Sequence, residues 1–150
     1  MSIVLKAIVY AYNPLSMTAI STLMQMPIEK VEAALAPLHS LIHIPSSEHP
    51  EKNISILHVS FHDFISNKNL SLDYYLDPCT SHADLAFQCL LLIEEKWSGK
   101  KEVSYLAERR HRDISEPLAY ACSSWAFHFT HGHNNNGSAE LKDFFQRHLL

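Results

Sequence analysis

Apolar positions in the first part of the chain recur every three or four residues, the spacing of amphipathic helices. Residues 16–25 carry the first stripe, and the hydroxyl of Ser16 is suited to cap the opening turn. Residues 29–42 carry a second, clearer stripe that begins just after Pro27. Pro37 is expected to kink this helix, because proline has no backbone N–H.

After the second predicted helix, the apolar residues no longer recur at helical spacing. Residues 45–53 are polar and predict a loop or wing tip, whereas residues 54–60 alternate as a strand that we expect to pair near residues 42–44. Ser60 followed by Asp63 is arranged like a capping box at the start of another helix. Two helices, a two-stranded wing and a further helix form a winged-helix pattern.

The second half predicts longer helices. Residues 81–97 are apolar on nearly every side, which indicates burial, and Ser81 with Asp84 is arranged as a cap. Residues 115–130 predict the next helix, which Gly132 should end. The apolar stripe predicted for that helix consists of Leu118, Ala121, Cys122, Trp125 and Phe129.

We expect two structural units in a mainly α fold. Residues 1–71 predict a winged-helix domain with a small two-stranded wing, and residues 72–150 predict a small helical bundle, with a linker at residues 72–80. A terminal amphipathic helix is expected in residues 138–150. The basic residues between positions 97 and 113 are expected to face water.

The composition favours a folded protein, since 47% of the 150 residues are hydrophobic. The spacing of Cys79, Cys89 and Cys122 fits neither a zinc ribbon nor a disulfide framework, so we expect reduced thiols in the cytoplasm, with Cys89 and Cys122 packed inside. No segment approaches the roughly 18 apolar residues of a membrane span. The net charge of −4 argues against nucleic acid, which leaves a DNA-binding winged helix as a minor alternative.

Residues 58–65 read His-x-Ser-Phe-x-Asp-Phe-Ile, and this run resembles a segment of the winged-helix domain in NACHT-type STAND ATPases. These are NLR-like signalling proteins, and the likeness is closest to their fungal branch. It extends along most of the chain. The other positions that carry it are residues 12–16, 35–40, 120–122 and 141–150 with His82, Cys89, Trp125 and His128.

The resemblance implies a role for His58, the position that contacts the β-phosphate of ADP in that family. Ser60 and Asp63 are then expected to cap the helix and orient His58. ADP or ATP with magnesium would belong to the intact protein, and a NACHT ATPase domain would be the partner, in cis or in trans. The three glycines of this chain form no phosphate loop of the Gly-x-x-x-x-Gly-Lys type, so we expect a regulatory, non-catalytic module with no cofactor of its own.

A free-standing, truncated relative that binds partners without nucleotide is the alternative. In such a chain residues 1–10 and 85–93 are candidates for exposed apolar patches, which favour a partner or a homo-oligomer. Without the resemblance, His58 reads as a partly buried imidazole bonded to a backbone carbonyl.

Two kinds of chemistry are weakly indicated. His128, His131 and His133 form the densest histidine cluster, but no cysteine or carboxylate stands at a familiar metal spacing beside them. Cys79 near His82 is conceivable as a nucleophile and base, although no hydrolase motif surrounds them.

Overall fold

The computed structural model describes residues 2–45, 49, 52–98, 114–132 and 146, and these are mainly helical with one two-stranded sheet. The helices are α1 (Ser2–Tyr10), α2 (Met17–Leu23), α3 (Ile28–Leu35), α4 (Val59–Ile65), α5 (Lys68–Ser71), α6 (Pro78–Ser98) and α7 (Glu116–His131). Short 3-10 turns follow α3 and α5, at Ala36–Leu38 and Leu72–Tyr74. The strands are β1 (Ile42–His43) and β2 (Ser55–Ile56). The predicted terminal helix, apart from residue 146, and the basic segment, apart from residues 97 and 98, lie outside the described residues.

Ser16 caps α2, as the sequence predicts. Its Oγ accepts a hydrogen bond from the backbone N–H of Ala19 at 3.1 Å and donates to the carboxylate of Glu116 at 2.7 Å. Ser16 is fully buried, and its neighbour Leu15 accepts a backbone bond from Ile54. The cap therefore also joins the start of α2 to the first turn of α7 and to the segment that enters β2.

The second predicted helix is shorter than expected. α3 ends at Leu35, and the chain tightens into the 3-10 turn at Ala36–Leu38, because Pro37 cannot continue the α-helical hydrogen-bond ladder. Ile42, predicted to be helical, is instead the first residue of β1. Proline here ends the helix, so the prediction of a kinked helix that continues to residue 42 was wrong.

The predicted strand pairing is confirmed. β1 and β2 are antiparallel, with Ile42 opposite Ile56 and His43 opposite Ser55. The second strand is shorter than predicted, because the chain is already helical at Val59. The winged-helix assignment stays a prediction beyond this mainly helical fold with its small sheet.

α6 begins earlier than predicted. Its first turn is capped by Asp77, whose carboxylate accepts the backbone N–H of Thr80 at 2.8 Å. That hydrogen bond holds the pKa of Asp77 below its usual value. Ser81 donates to the backbone carbonyl of Asp77, and Asp84 forms an ion pair with Lys6 of α1, so the predicted Ser81–Asp84 cap was wrong.

One hydrophobic core combines α1, α2 and α3 with α6 and α7. The two segments expected as exposed patches in a free chain contribute to this core, because α1 and α7 pack against α6. Their buried members include Val4, Leu5, Ala7, Val9, Leu85, Cys89, Leu90 and Leu92. The expectation of apolar patches was therefore wrong for these residues, although Phe87 in the second segment is 43% exposed. The domain boundary at residues 71 and 72 stays a prediction. No helix among the described residues has the length and apolarity to cross a membrane.

Gly132 ends α7 as predicted, and the reason is a close approach between helices. A Cβ placed on Gly132 would lie 2.4 Å from the backbone nitrogen of Ala83 and 2.7 Å from its Cα. Those atoms belong to the backbone of α6 and cannot move aside as a flexible side chain could. Only glycine allows the end of α7 to approach α6 this closely.

We expect Gly132→Ala to lower the free energy of unfolding by roughly 1–3 kcal/mol, because the added methyl forces α7 away from α6. Urea unfolding followed by circular dichroism measures the change. Ala119→Ser, at an exposed site on the same helix, is the matched control and should cost about 0.5 kcal/mol or less. Equal midpoints for Gly132→Ala and the unaltered chain would contradict the close-packing argument.

Candidate functional site

His58 lies at the junction between β2 and α4. It is the N-cap residue of α4, with an extended backbone at φ −127° and ψ 121°, and its side chain makes no capping hydrogen bond. The imidazole is exposed, and no described residue forms a hydrogen bond or ion pair with it. The exposed position differs from the partly buried imidazole, bonded to a backbone carbonyl, that the residue suggests without the family resemblance.

The residues on either side of His58 are apolar and unusually exposed. Leu57 is 52% exposed and Val59 is 84% exposed. Phe61 and Ile65, on the opposite side of α4, are buried and fix the helix to the core. An accessible imidazole between two exposed apolar side chains can form a polar contact inside an otherwise apolar interface.

Ser60 and Asp63 do not form the predicted capping box. α4 begins at Val59, so Ser60 occupies its second position, and the helix opens with a bond from the N–H of Phe61 to the carbonyl of His58. Both predicted cap residues are exposed, and the carboxylate of Asp63 lies 3.6 Å from Nδ1 of His62. The direction of His58 is therefore set by the backbone at the strand-to-helix junction.

A second cluster, which sequence reasoning missed, lies inside the protein. The backbone N–H of Tyr12 donates to the hydroxyl of Tyr120 at 3.1 Å, and that hydroxyl lies 2.7 Å from Nε2 of His128. Nδ1 of His128 lies 2.9 Å from Nδ1 of His82. We call His82 and His128 the imidazole pair. Through Tyr120 it joins α6, α7 and the loop after α1.

One arrangement of protons uses the hydroxyl of Tyr120 both as an acceptor and as a donor. In this arrangement Tyr120 accepts from the N–H of Tyr12, and its own O–H donates to Nε2 of His128. His128 then carries its proton on Nδ1 and donates to Nδ1 of His82, whose proton is on Nε2. Both imidazoles are neutral in this arrangement, and the described residues contain no buried side-chain N or O atom without a partner.

Burial sets the electrostatics of the imidazole pair. Desolvation, with the charges of His82 and His131 adding to it, lowers the pKa of His128 to about 4. Desolvation also lowers the pKa of His82, with His131 as the second cause. Burial raises the pKa of Tyr120. All three groups therefore stay uncharged at neutral pH.

Aromatic rings surround the pair. The ring of Tyr10 meets His82 edge-on with centroids 5.4 Å apart, and Phe127 does so at 5.6 Å. Tyr10 also meets His62 of α4 at 5.6 Å and donates its hydroxyl to the carbonyl of Leu76 at 2.8 Å. These contacts connect the buried pair to the helix that begins beside His58.

The structure does not bring the candidate metal ligands together, and it does not pair Cys79 with His82. Both nitrogens of His128 are hydrogen-bonded, Nδ1 of His131 lies 2.8 Å from the carbonyl of Phe127, and His133 lies outside the described residues. Within the described part of the chain, no three His, Cys, Asp or Glu residues are placed to hold a metal ion. His82 uses Nδ1 for the imidazole pair, and the structure shows no bond between it and Cys79.

The buried face of α7 differs from the predicted apolar stripe. It consists of Tyr120, Ala121, Ser124 and His128, whereas Cys122, predicted to be packed inside, is exposed. Tyr120, Ser124 and His128 repeat every four residues, which is the signal that could have identified this face. Polar residues at that spacing ordinarily indicate a solvated face, and therefore the pattern was not used.

No protein-family model, no curated protein and no solved structure matches this chain. The likeness to the NACHT-type ATPases therefore depends on the sequence motifs alone. Within the described residues, the accessible His58 and the imidazole pair, in which His128 is buried and His82 is partly exposed, are the arrangements with chemical content.

We expect Tyr120→Phe to lower the free energy of unfolding by about 1–3 kcal/mol at neutral pH. Removing the hydroxyl leaves Nε2 of the fully buried His128 without its partner and also removes the acceptor of the Tyr12 N–H. Urea unfolding measures the loss. Tyr74→Phe, at a tyrosine that is 67% exposed, is the control and should be nearly neutral; equal effects of the two variants would contradict the network.

Proposed function

We propose that this chain is a regulatory, non-catalytic module of a nucleotide-dependent signalling switch of the NACHT type. In the intact protein, His58 contacts the β-phosphate of bound ADP and favours the resting state. The observation that carries the proposal is the accessible side chain of His58 at the strand-to-helix junction, without a hydrogen bond to any described residue. A histidine used for internal structure, such as His128, has both ring nitrogens occupied.

One imidazole is energetically sufficient for this role. A ring N–H that donates to a phosphate oxygen in a desolvated site gains a charge-assisted hydrogen bond of roughly 1.5–3 kcal/mol. That free energy shifts a two-state equilibrium by about one to two decades. His58 therefore needs no catalytic neighbour to bias a switch, and its position on the surface suits a ligand supplied by another domain.

The apolar neighbours of His58 support a domain contact. Leu57 and Val59 can be buried against the NACHT ATPase domain, in cis or in trans, and their burial would exclude water from the contact between His58 and the phosphate. ADP or ATP with magnesium is bound by that ATPase domain, not by this chain. The module acts in the cytoplasm, where Cys79, Cys89 and Cys122 remain free thiols.

A free-standing interaction protein that binds no nucleotide is the second candidate. It is favoured by large apolar side chains that are exposed outside the core, most of them at positions other than those the sequence suggested. They include Leu57, Val59, Leu70, Leu72 and Tyr74. Such residues can support a protein partner or a homo-oligomer.

A DNA-binding winged helix is not favoured. The exposed charges of α3 are Glu29, Lys30 and Glu32, an acidic balance unsuited to phosphate.

In an intact protein that contains a phosphate-loop domain, we expect His58→Ala to speed ADP release about 10- to 100-fold, because one charge-assisted hydrogen bond is lost. Stopped-flow release of a fluorescent ADP analogue measures the rate. His39→Ala, at an exposed histidine after α3, is the matched control and should leave the rate unaltered. An unchanged ADP dwell time in the His58 variant would exclude the proposed contact.

The chain by itself is expected to bind ADP no more tightly than about 1 mM, or some −4 kcal/mol, because a single imidazole does not replace a phosphate loop. Isothermal titration calorimetry tests this expectation. Micromolar affinity in the isolated chain would show that a nucleotide site exists within it and would contradict its assignment as a module that depends on another domain.

A further inference from the structure

The imidazole pair can hold only a limited number of protons. Its two Nδ1 atoms are 2.9 Å apart, so one N–H fits between them and the facing nitrogen must offer a lone pair. A single added proton can be accommodated if His128 exchanges tautomer and donates from Nε2 to Tyr120. A second added proton would place an N–H on both facing nitrogens, and the contact would be lost.

We propose that the imidazole pair is an acid-sensitive contact that holds α7 against α6 at neutral pH and releases it when both imidazoles are protonated. This inference goes beyond the proposed function and does not depend on nucleotide binding. The elements that the contact joins are large: α6 and α7 contribute Leu85, Cys89, Tyr120 and Ala121 to the same core. Their separation would expose apolar surface that is covered at neutral pH.

The charged groups nearby do not compensate for an imidazolium. On α6, Asp84 is paired with Lys6 of α1, and the carboxylate of Asp77 is bonded to Thr80 and Tyr75. His131 of α7, with its centroid 5.3 Å from that of His82, adds repulsion when it is charged. The other titratable groups on the surrounding elements are Tyr10, Tyr12, His62, Asp63, Cys79, Cys89, Glu94, Glu95, Lys96, Glu116, Tyr120 and Cys122. Glu116 is bonded to Ser16, Asp63 lies beside His62, and Lys96 lies beside Glu95.

The direction of the pH effect follows from proton binding. Burial lowers the pKa of His128 from the ordinary histidine value of 6.5 to about 4, and it lowers the pKa of His82 too. The unfolded or opened state therefore binds more protons below pH 6.5, so stability is fully present above that value and is lost as the pH falls toward about 4. For His128 alone, the opening equilibrium constant should rise about 30-fold by about pH 5.

Hydrogen exchange of the full chain at about pH 7.5 and about pH 5 tests the proposal, after correction for the intrinsic pH dependence of exchange. We expect the amides of α7 to lose at least about 10-fold in protection at the lower pH, before those of α2 and α3. Unchanged protection of α7 would overturn the proposal, and so would a uniform loss along the whole chain. Nucleotide is absent from this experiment, so its failure leaves the proposed role of His58 unaffected.

His82→Asn provides the informative variant, because its side-chain oxygen can stand near the position of Nδ1 and accept from His128 without titrating. We expect α7 to be better protected at about pH 5 in this variant than in the unaltered chain, because the response that needs two facing imidazoles is removed while the response from burial of His128 remains. His39→Asn, at an exposed site, should retain the full response. An undiminished response in His82→Asn would contradict the proposal.

Imidazole nitrogen NMR of the unaltered chain gives a second test that does not depend on whether the variant folds. While α7 is protected, at most one ring of the pair should carry an added proton, even well below the ordinary titration range of histidine. Ordinary titration of both rings with α7 still protected would overturn the inference.

Discussion

The close approach of α7 to α6 at Gly132 is the constraint on which the other long-range contacts depend. A Cβ at Gly132 would overlap the backbone of Ala83, so the separation of the two helices is fixed at this end. α7 is 16 residues long and spans about 24 Å, which carries this placement from Gly132 back to its first turn. His128 thereby meets His82, Tyr120 reaches the loop after α1, and Glu116 reaches Ser16. The glycine at the end of α7 therefore permits the hydrogen bonds that His128, Tyr120 and Glu116 make farther along the same helix.

Those hydrogen bonds make the packing of α7 against α6 more specific than apolar contacts alone would. An apolar face on α7 would pack against α6 in several similar positions, whereas Tyr120 and His128 have their polar atoms satisfied in one position only. Buried polar groups are costly when unpaired, so the network disfavours any shift of α7 along α6. The same network makes the packing depend on the protonation of two imidazoles. A feature that specifies the helix position also makes that position sensitive to acid.

Sequence patterns predicted the parts of this fold that local chemistry determines. Ser16 caps α2, Gly132 ends α7, and β1 pairs with β2, because each depends on a side chain or an alternation that is visible in a short segment. The helix that was expected to pass through Pro37 ended instead, since the missing N–H outweighed the apolar periodicity that continues to residue 42. The buried polar face of α7 was missed for a different reason: its partner, His82, lies 46 residues away, and only tertiary contact makes His128 suitable for the interior.

His58 and His128 differ in whether their ring nitrogens are available to a ligand, and the fold determines this difference. His128 has both nitrogens bonded inside the protein, while His58 meets water between Leu57 and Val59. The two sites are nevertheless connected by packed rings. His62, one turn along α4 from His58, lies against Tyr10 with centroids 5.6 Å apart, and Tyr10 lies 5.4 Å from His82. Tyr10 therefore contacts both the helix that begins beside His58 and the imidazole pair, and its hydroxyl is held by the carbonyl of Leu76. A single buried tyrosine thus joins the packing around the surface histidine to the packing of α6 against α7.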